Sequence, residues 1–246
     1  MHSAIDGETL LALWEGALAL PAAARGDALL QTAAPDAAPA CSLGERNARL
    51  AGLHTRLFGR ELELLSHCPA CGTVAQFSGD CETLAAQMMP KVGNAPHHRL
   101  EAYGHVIEFR LPDSADIGDI AIASGNQGTE DFTQRLLDRC VLGCSYEGNN
   151  VTARQLPARV LDALSQRIET LDPGASMSFA LECPQCATHW QAPLDLGEVL
   201  WHKVRAAAEQ VLLDIDALAR AYGWTEREVL RLKPLRRAAY LQMVAS

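Results

Sequence analysis

The chain has 246 residues, 48% of them apolar and 21% charged, and a formal net charge of -9. This length suits one large domain or two small ones with a buried core, and the acidic balance argues against a general nucleic-acid binder, whose phosphate affinity rests on excess Lys and Arg. Apolar runs such as Leu10–Leu13 are too short to cross a bilayer, and "MHSAIDGETLLALWEG" has acids where a secretion signal needs a basic start, so a cytoplasmic chain without a membrane partner is expected.

The first segment reads as helix. Leu10, Leu13, Trp14, Ala17 and Leu18 fall at helical spacing, behind the acids Asp6 and Glu8. A short second helix carries Leu29 and Leu30, and a Pro/Ala connector follows. A third helix opens with Ser42 and Glu45 in capping-box spacing and places Leu50, Leu53, Leu57 and Phe58 on one face. Residues 1–65 are therefore expected as an N-terminal helical unit.

The pattern changes at His67. "GTVAQFSGD" is strand-like, and "HVIEFRLP" alternates, with Ile107, Phe109 and Leu111 on one face. Helical spacing returns at Thr129–Leu142 and Pro157–Leu171, where Pro157 suits a first turn. "DPGA" is a turn, and Met177, Phe179 and Leu181 alternate into a second cysteine pair. The expected organisation for residues 66–194 is a zinc-ribbon-like β unit with a helical insertion at about 112–174, closed by pairing of the strands His105–Leu111 and Ser176–Glu182. Residues 195–246 form a C-terminal helical segment. Its long first helix buries the stripe Leu200, Val204, Ala208, Val211, Ile215 and Leu218 and stops at Gly223; Thr225 and Glu228 cap a short second helix, and Pro234 separates that from the last. The fold class is α+β, mostly helical, with a small antiparallel zinc-ribbon-like unit built from two distant Cys-Pro-x-Cys knuckles.

There are eight cysteines. Without a secretion signal, a disulfide framework is disfavoured in a chain of this size. "CPAC" at Cys68 and Cys71 and "CPQC" at Cys183 and Cys186 each let two sulfurs turn toward one ion, and two such knuckles complete a four-cysteine zinc site. The rival is a thioredoxin-like redox pair, which caps a helix; here "CGTVAQF" and "CATHWQAP" read as strand. The spacing thus favours one structural zinc ion per chain over redox chemistry or metal-free packing. His67 and His189 are expected beside the site or at the surface, His97 and His98 in a solvated loop, and Cys140 and Cys144 in a core rather than a metal half-site. Cys41 and Cys81 show no local partner. A closed four-thiolate site has no open coordination position, and no nucleophile elbow, phosphate loop or metalloprotease helix is present, so no enzyme is expected.

The C-terminal segment has two readings. Helix, Gly223, Thr225 and a second helix look like a helix-turn-helix, which with the knuckles would make a zinc-ribbon DNA-binding regulator. Pro234 leaves that second helix only Thr225–Lys233, short for major-groove reading. The alternative is a basic face on a helical cap, either merely solvated or a docking surface for an acidic partner made by Tyr222, Trp224, Arg231, Arg236, Arg237 and Tyr240.

"CPQCATHWQAPLDLGEVLWHKV", followed by "LARAYGWTEREVLRLKPLRRAAYLQMV", resembles the T4-type baseplate hub assembly proteins of contractile phage tails, prophages and extracellular contractile injection systems. "LLALWEGALALP", "LGERNARLAGLHTRLFGRELELLSHCPACG" and "FRLPDSADI" extend the resemblance over nearly the whole chain. Tyr222, Gly223, Trp224, Glu228, Leu230, Arg236, Arg237 and Tyr240 carry its most specific part. Ala187 departs from it, standing where the family often has Gly, and Cys81–Ala102 and Ser145–Ala153 fall outside it. The resemblance implies a non-enzymatic assembly chaperone or component of a baseplate hub, with hub, spike or tube-initiation proteins as partners, in the cytoplasm or incorporated in the assembled particle.

Overall fold

The structure is a computed structural model that describes residues 6–39, 42–91, 95–124 and 129–245, with no side-chain description for 121–131 and 245. In chain order its elements are α1 (Gly7–Leu18), α2 (Ala22–Ala33), α3 (Leu43–Phe58), β1 (Glu61–His67), β2 (Val74–Asp80), α4 (Cys81–Met88), β3 (His98–Ala102), β4 (His105–Phe109), α5 (Ser114–Ser124) and α6 (Thr129–Cys140). There follow β5 (Val141–Tyr146), β6 (Asn149–Val151), α7 (Ala158–Leu171), β7 (Ser178–Glu182), β8 (His189–Pro193), α8 (Leu196–Tyr222), α9 (Glu226–Leu230) and α10 (Pro234–Ala245). The fold is mixed helix and antiparallel sheet, and among the described residues no helix is long and apolar enough to cross a membrane.

The chain divides into two compact units. The first takes the described residues up to Ala37, Arg56–Gly59 and those from Leu196 onward, so α1 and α2 join the C-terminal helices, while most of α3, expected with them in one N-terminal unit, falls in the second. Asp6 caps α1 by accepting from the Thr9 amide at 2.7 Å. The apolar stripe of α1 then buries Leu10 and Leu11 against Ala208 and Val211 of α8, with Phe58 and Leu230 at the margin. Arg25 of α2 lies over the Trp201 ring at 5.0 Å. Ridge-in-groove contact of this kind is what a 27-residue helix such as α8 needs, because its stripe cannot be covered by a single partner helix.

The second unit comprises Ala38–Thr55 and Arg60–Asp195. It contains two hairpins, β1–β2 and β7–β8, and a four-stranded antiparallel sheet in the order β3-β4-β5-β6. The sheet is made by two tight hairpins. Each turn has two residues at positive φ, Tyr103–Gly104 (54° and 79°) and Glu147–Gly148 (48° and 83°), as a two-residue hairpin turn matched to strand twist requires. One face of the sheet presents Ile107, Phe109 and Cys144 to Val160, Leu164 and Leu171, forming a core with α7.

Three expectations are corrected. Residues 61–67 are strand rather than helix end: Leu62 and Leu64 alternate inward while Glu61, Glu63 and Leu65 face out. The insertion is not wholly helical, because Val141–Tyr146 and Asn149–Val151 are strands. The strands at His105 and Ser178 do not pair with each other; β4 pairs with β3 and β5, and β7 with β8. Each strand instead takes an antiparallel neighbour close in sequence, where closure costs least entropy.

Away from the sheets, the unit is fastened by close approach. The Gly44 amide donates to Asp172 at 3.0 Å, and the Asn47 side-chain amide donates to the Gly174 carbonyl at 2.8 Å. A Cβ on Gly174 would lie 2.5 Å from the Met88 carbonyl oxygen, so only glycine fits there. A second fastener is ionic. Asp116, with a fully buried side chain, accepts two hydrogen bonds of 2.6 Å from the Arg110 guanidinium and one of 2.7 Å from Arg139. Burial pushes its carboxyl up, but the Arg110 and Arg139 hydrogen bonds outweigh that and hold it well below the usual carboxylate range.

Because the folded-state value is depressed, this cluster stabilises the fold fully above the unfolded-state pKa of about 4 and loses that contribution as pH falls toward the folded value. Asp116→Asn should cost on the order of 3 kcal/mol at pH 7, since it leaves both guanidinium groups without their buried counter-charge, and the deficit should shrink as the pH is lowered. Urea denaturation of both proteins across that range checks it; a neutral substitution at pH 7 contradicts it.

Candidate metal centre

Each cysteine pair sits in the turn of a hairpin. In the first, β1 delivers Cys68, whose amide donates to the Thr73 carbonyl at 2.9 Å, and the Gly72 amide donates back to the Cys68 carbonyl at 2.9 Å. In the second, the Cys183 amide donates to Thr188 at 2.9 Å and the Ala187 amide to Cys183 at 2.9 Å. The two turns are thus built alike. Both need a left-handed residue directly after the second cysteine: Gly72 has φ 74° and Ala187 has φ 56°. That conformation is free for glycine and costs alanine about 1 kcal/mol or more, which is the physical reason glycine suits the position where Ala187 stands.

Side-chain contacts bring the hairpins together. The Phe77 and Phe179 rings lie 5.0 Å apart, and Trp190 Nε1 donates to Ser66 Oγ at 3.2 Å. Thr73 Oγ1 reaches Gln185 Oε1 at 2.5 Å, across the two turns. The result is one cluster: the sulfurs of Cys68, Cys71, Cys183 and Cys186 all lie within 4.8 Å of one another. Two sulfur contacts run between hairpins, Cys68 to Cys186 at 3.6 Å and Cys71 to Cys183 at 3.5 Å.

This donor set can be tested against a metal. A tetrahedral thiolate site with metal–sulfur bonds of about 2.3 Å has sulfur–sulfur edges of about 3.8 Å. The two cross-hairpin distances fall just short of that edge, and cysteine sulfur suits a thiophilic cation, so the residues fit such a group. Cys68 and Cys183 are buried and Cys71 and Cys186 exposed, one of each per hairpin. Hydrogen bonding to Thr73, side chain first and then backbone, together with Cys183 and Cys186, lowers the Cys71 thiol to about 6. Burial pushes Cys183 up to about 11. Cation binding must therefore displace the Cys183 proton and weakens on acidification. Four thiolates fill a tetrahedral ion and leave it no open position for substrate.

Among the described residues no other group of three or more His, Cys, Asp or Glu side chains converges in this way. His67 is exposed, and His189 lies 3.6 Å from Glu182 at the surface; neither belongs to the cluster. His98 begins β3, where its ring lies 5.6 Å from Phe109, instead of lying in a solvated loop. Cys140 and Cys144 are buried, and burial, followed by the nearby Asp116 charge, pushes Cys140 up to about 12. Cys81 does have a partner: its sulfur lies 3.2 Å from Nδ1 of His54, and both side chains are fully buried. Cys41 lies outside the described residues.

Of the residues expected at a partner surface, Tyr222, Trp224 and Tyr240 pack on each other. Tyr222 stacks on Trp224 at 4.8 Å, and Tyr240 meets the Trp224 ring edge-on at 4.8 Å. They lock α8 to α10 around the turn at Gly223. Arg237 is drawn inward to Asp214 at 3.4 Å, both largely covered, while Arg231 and Arg236 are exposed. The short helix expected over Thr225–Lys233 is only Glu226–Leu230, one and a half turns, with the capping box of Thr225 and Glu228 in place. The sequence reading missed Thr73, Thr188 and the His54–Cys81 contact. The threonines had a signal, since both turns read C-P-x-C, a small residue, then Thr.

Compared with protein-family models, curated proteins and solved structures, the chain matches none.

If one ion joins the two turns, Cys68→Ser and Cys183→Ser should each lower stability by a similar amount, and the double variant should cost little more than either alone. Chemical denaturation of the three variants reads this directly. Additive losses would mean two independent sites.

Proposed function

We propose that this chain is a non-enzymatic assembly factor or structural component of the baseplate hub of a contractile, phage tail-like injection particle, with one structural zinc ion holding a ribbon-like pair of hairpins. The observation that carries the reading is the resemblance centred on "CPQCATHWQAPLDLGEVLWHKV" and "LARAYGWTEREVLRLKPLRRAAYLQMV".

Three features support it. The four-sulfur cluster suits a closed zinc site that staples a fold rather than performing chemistry. The cysteine–histidine contact of Cys81 with His54 is sealed from solvent and cannot meet a substrate. The residues that carry the most specific part of the resemblance form a coherent piece of structure, with Tyr222, Trp224 and Tyr240 in one aromatic cluster and Arg236 beside it in sequence. On this reading the zinc fixes the hairpins and the C-terminal helices meet the partner. The partners are hub, spike or tube-initiation proteins.

Tagged protein produced together with the hub, spike and tube-initiation proteins of its own particle should retain at least one of them through purification at a fixed ratio. Retention of none, under conditions where the particle assembles, contradicts the proposal.

A further inference from the structure

Asp172 closes α7, and its side chain is buried, 1% exposed, where the start of α3 and the end of α4 meet that helix. One carboxyl oxygen, Oδ2, accepts from the Gly44 amide at 3.0 Å, and the Ser42 hydroxyl donates to the same carboxyl. The other, Oδ1, is buried and meets no protein donor among the described residues. A buried oxygen left in that state is costly, and more so when it carries charge.

What Oδ1 meets instead is an acceptor. A Cβ on Gly44 would lie 1.9 Å from Oδ1 and 2.8 Å from the Met88 carbonyl oxygen, so the two oxygens border one small space that glycine leaves open. Met88 ends α4, and the last carbonyls of a helix have no intrahelical donor. Two acceptors brought together away from water repel unless a proton lies between them, and a carboxylic acid supplies that proton.

The charges nearby do not favour a carboxylate. On α3, Glu45 adds negative charge, while Arg46 turns to Asn47 at 3.2 Å. Lys91, beyond α4, and Glu169, on α7, are exposed. Burial pushes the Asp172 carboxyl up, the hydrogen bonds from Gly44 and Ser42 draw it down by less, and Glu45 adds to the upward push. Asp116 is the opposite case, a buried carboxylate with two guanidinium groups on it.

We propose that Asp172 is a neutral acid in the folded chain, that its Oδ1 proton is donated to the Met88 carbonyl, and that it forms a pH-sensitive latch on α3, α4 and α7, closed while protonated and loosened as the proton leaves. An acid whose folded value is raised contributes stability that is fully present below the unfolded value of about 4 and is lost as pH rises through the folded one. Asp116 works in the other sense, so the two aspartates bound the stability of the unit from opposite sides of the pH scale. The latch also holds the turn that leads into β7 and on to the second cysteine turn.

Carbon-13 NMR of the Asp172 carboxyl carbon in the unaltered chain reads the proton directly. The signal should keep its protonated position above the ordinary carboxylate range of about pH 4; a carboxyl that titrates at or below that value overturns the proposal. Asp172→Asn accepts from Gly44 through its oxygen and donates to Met88 through its amide, but cannot ionise. Its melting temperature, taken relative to the wild type at each pH so that Asp116 and all other shared groups cancel, should rise as pH goes from about 5 to about 8. A difference that stays flat or falls overturns the latch. Asp172→Ala, which has neither donor nor acceptor, should melt below Asp172→Asn throughout; equal melting would mean that the bond to Met88 is not made, and overturns it as well.

Discussion

Two cysteine turns, distant in sequence, meet sulfur to sulfur, and the larger unit is threaded between them. Cys68 and Cys186 are 118 residues apart and Cys71 and Cys183 are 112 apart, yet each pair is in contact. Closing a loop of that size costs entropy, about 5 kcal/mol for 100 residues when a covalent link removes it from the unfolded chain. The aromatic contact of Phe77 with Phe179 and the Trp190 to Ser66 hydrogen bond offset only part of that cost. A structural zinc, at about 10–16 kcal/mol in small zinc-binding peptides, is large enough to decide the balance. The hairpins therefore have the geometry of a clasp, and the proposed ion would supply its strength.

What the clasp encloses has its own means of holding together. The sheet β3-β4-β5-β6 buries one face on α7, and Asp116 draws Arg110 and Arg139 onto itself. Asp172 and Gly174 then tie the turn after α7 to the start of α3 and the end of α4. These contacts place the end of α7 so that β7 leads straight into the second cysteine turn. In the other unit the same economy holds on a smaller scale: Tyr222, Trp224 and Tyr240 fix the corner between α8 and α10.

The cysteine cluster was legible in the sequence because chelation is a local demand. Two residues between cysteines, in a tight turn flanked by strand, narrow the chemistry whatever the rest of the chain does. The long helix α8, its stop at Gly223 and the Thr225–Glu228 capping box were legible for the same reason, each set by neighbours within a few residues. Strand pairing was not. Leu62 and Leu64 followed so closely on the helical spacing of Leu53, Leu57 and Phe58 that the change of period was hidden. β5 and β6 were missed because Val141 continues the apolar pattern of α6 and because a turn at Glu147–Gly148 is fixed by backbone conformation more than by side-chain pattern. The contact of His54 with Cys81 depends on how α3 meets α4, 27 residues on, and no local rule announces it.

The central claim is that one ion is held by both cysteine turns, and X-ray absorption at the zinc edge of freshly purified protein tests it most directly. The account predicts a single shell of four sulfur ligands at about 2.3 Å with no nitrogen or oxygen neighbour. A mixed shell with nitrogen or oxygen ligands, or protein that holds no zinc, would contradict it.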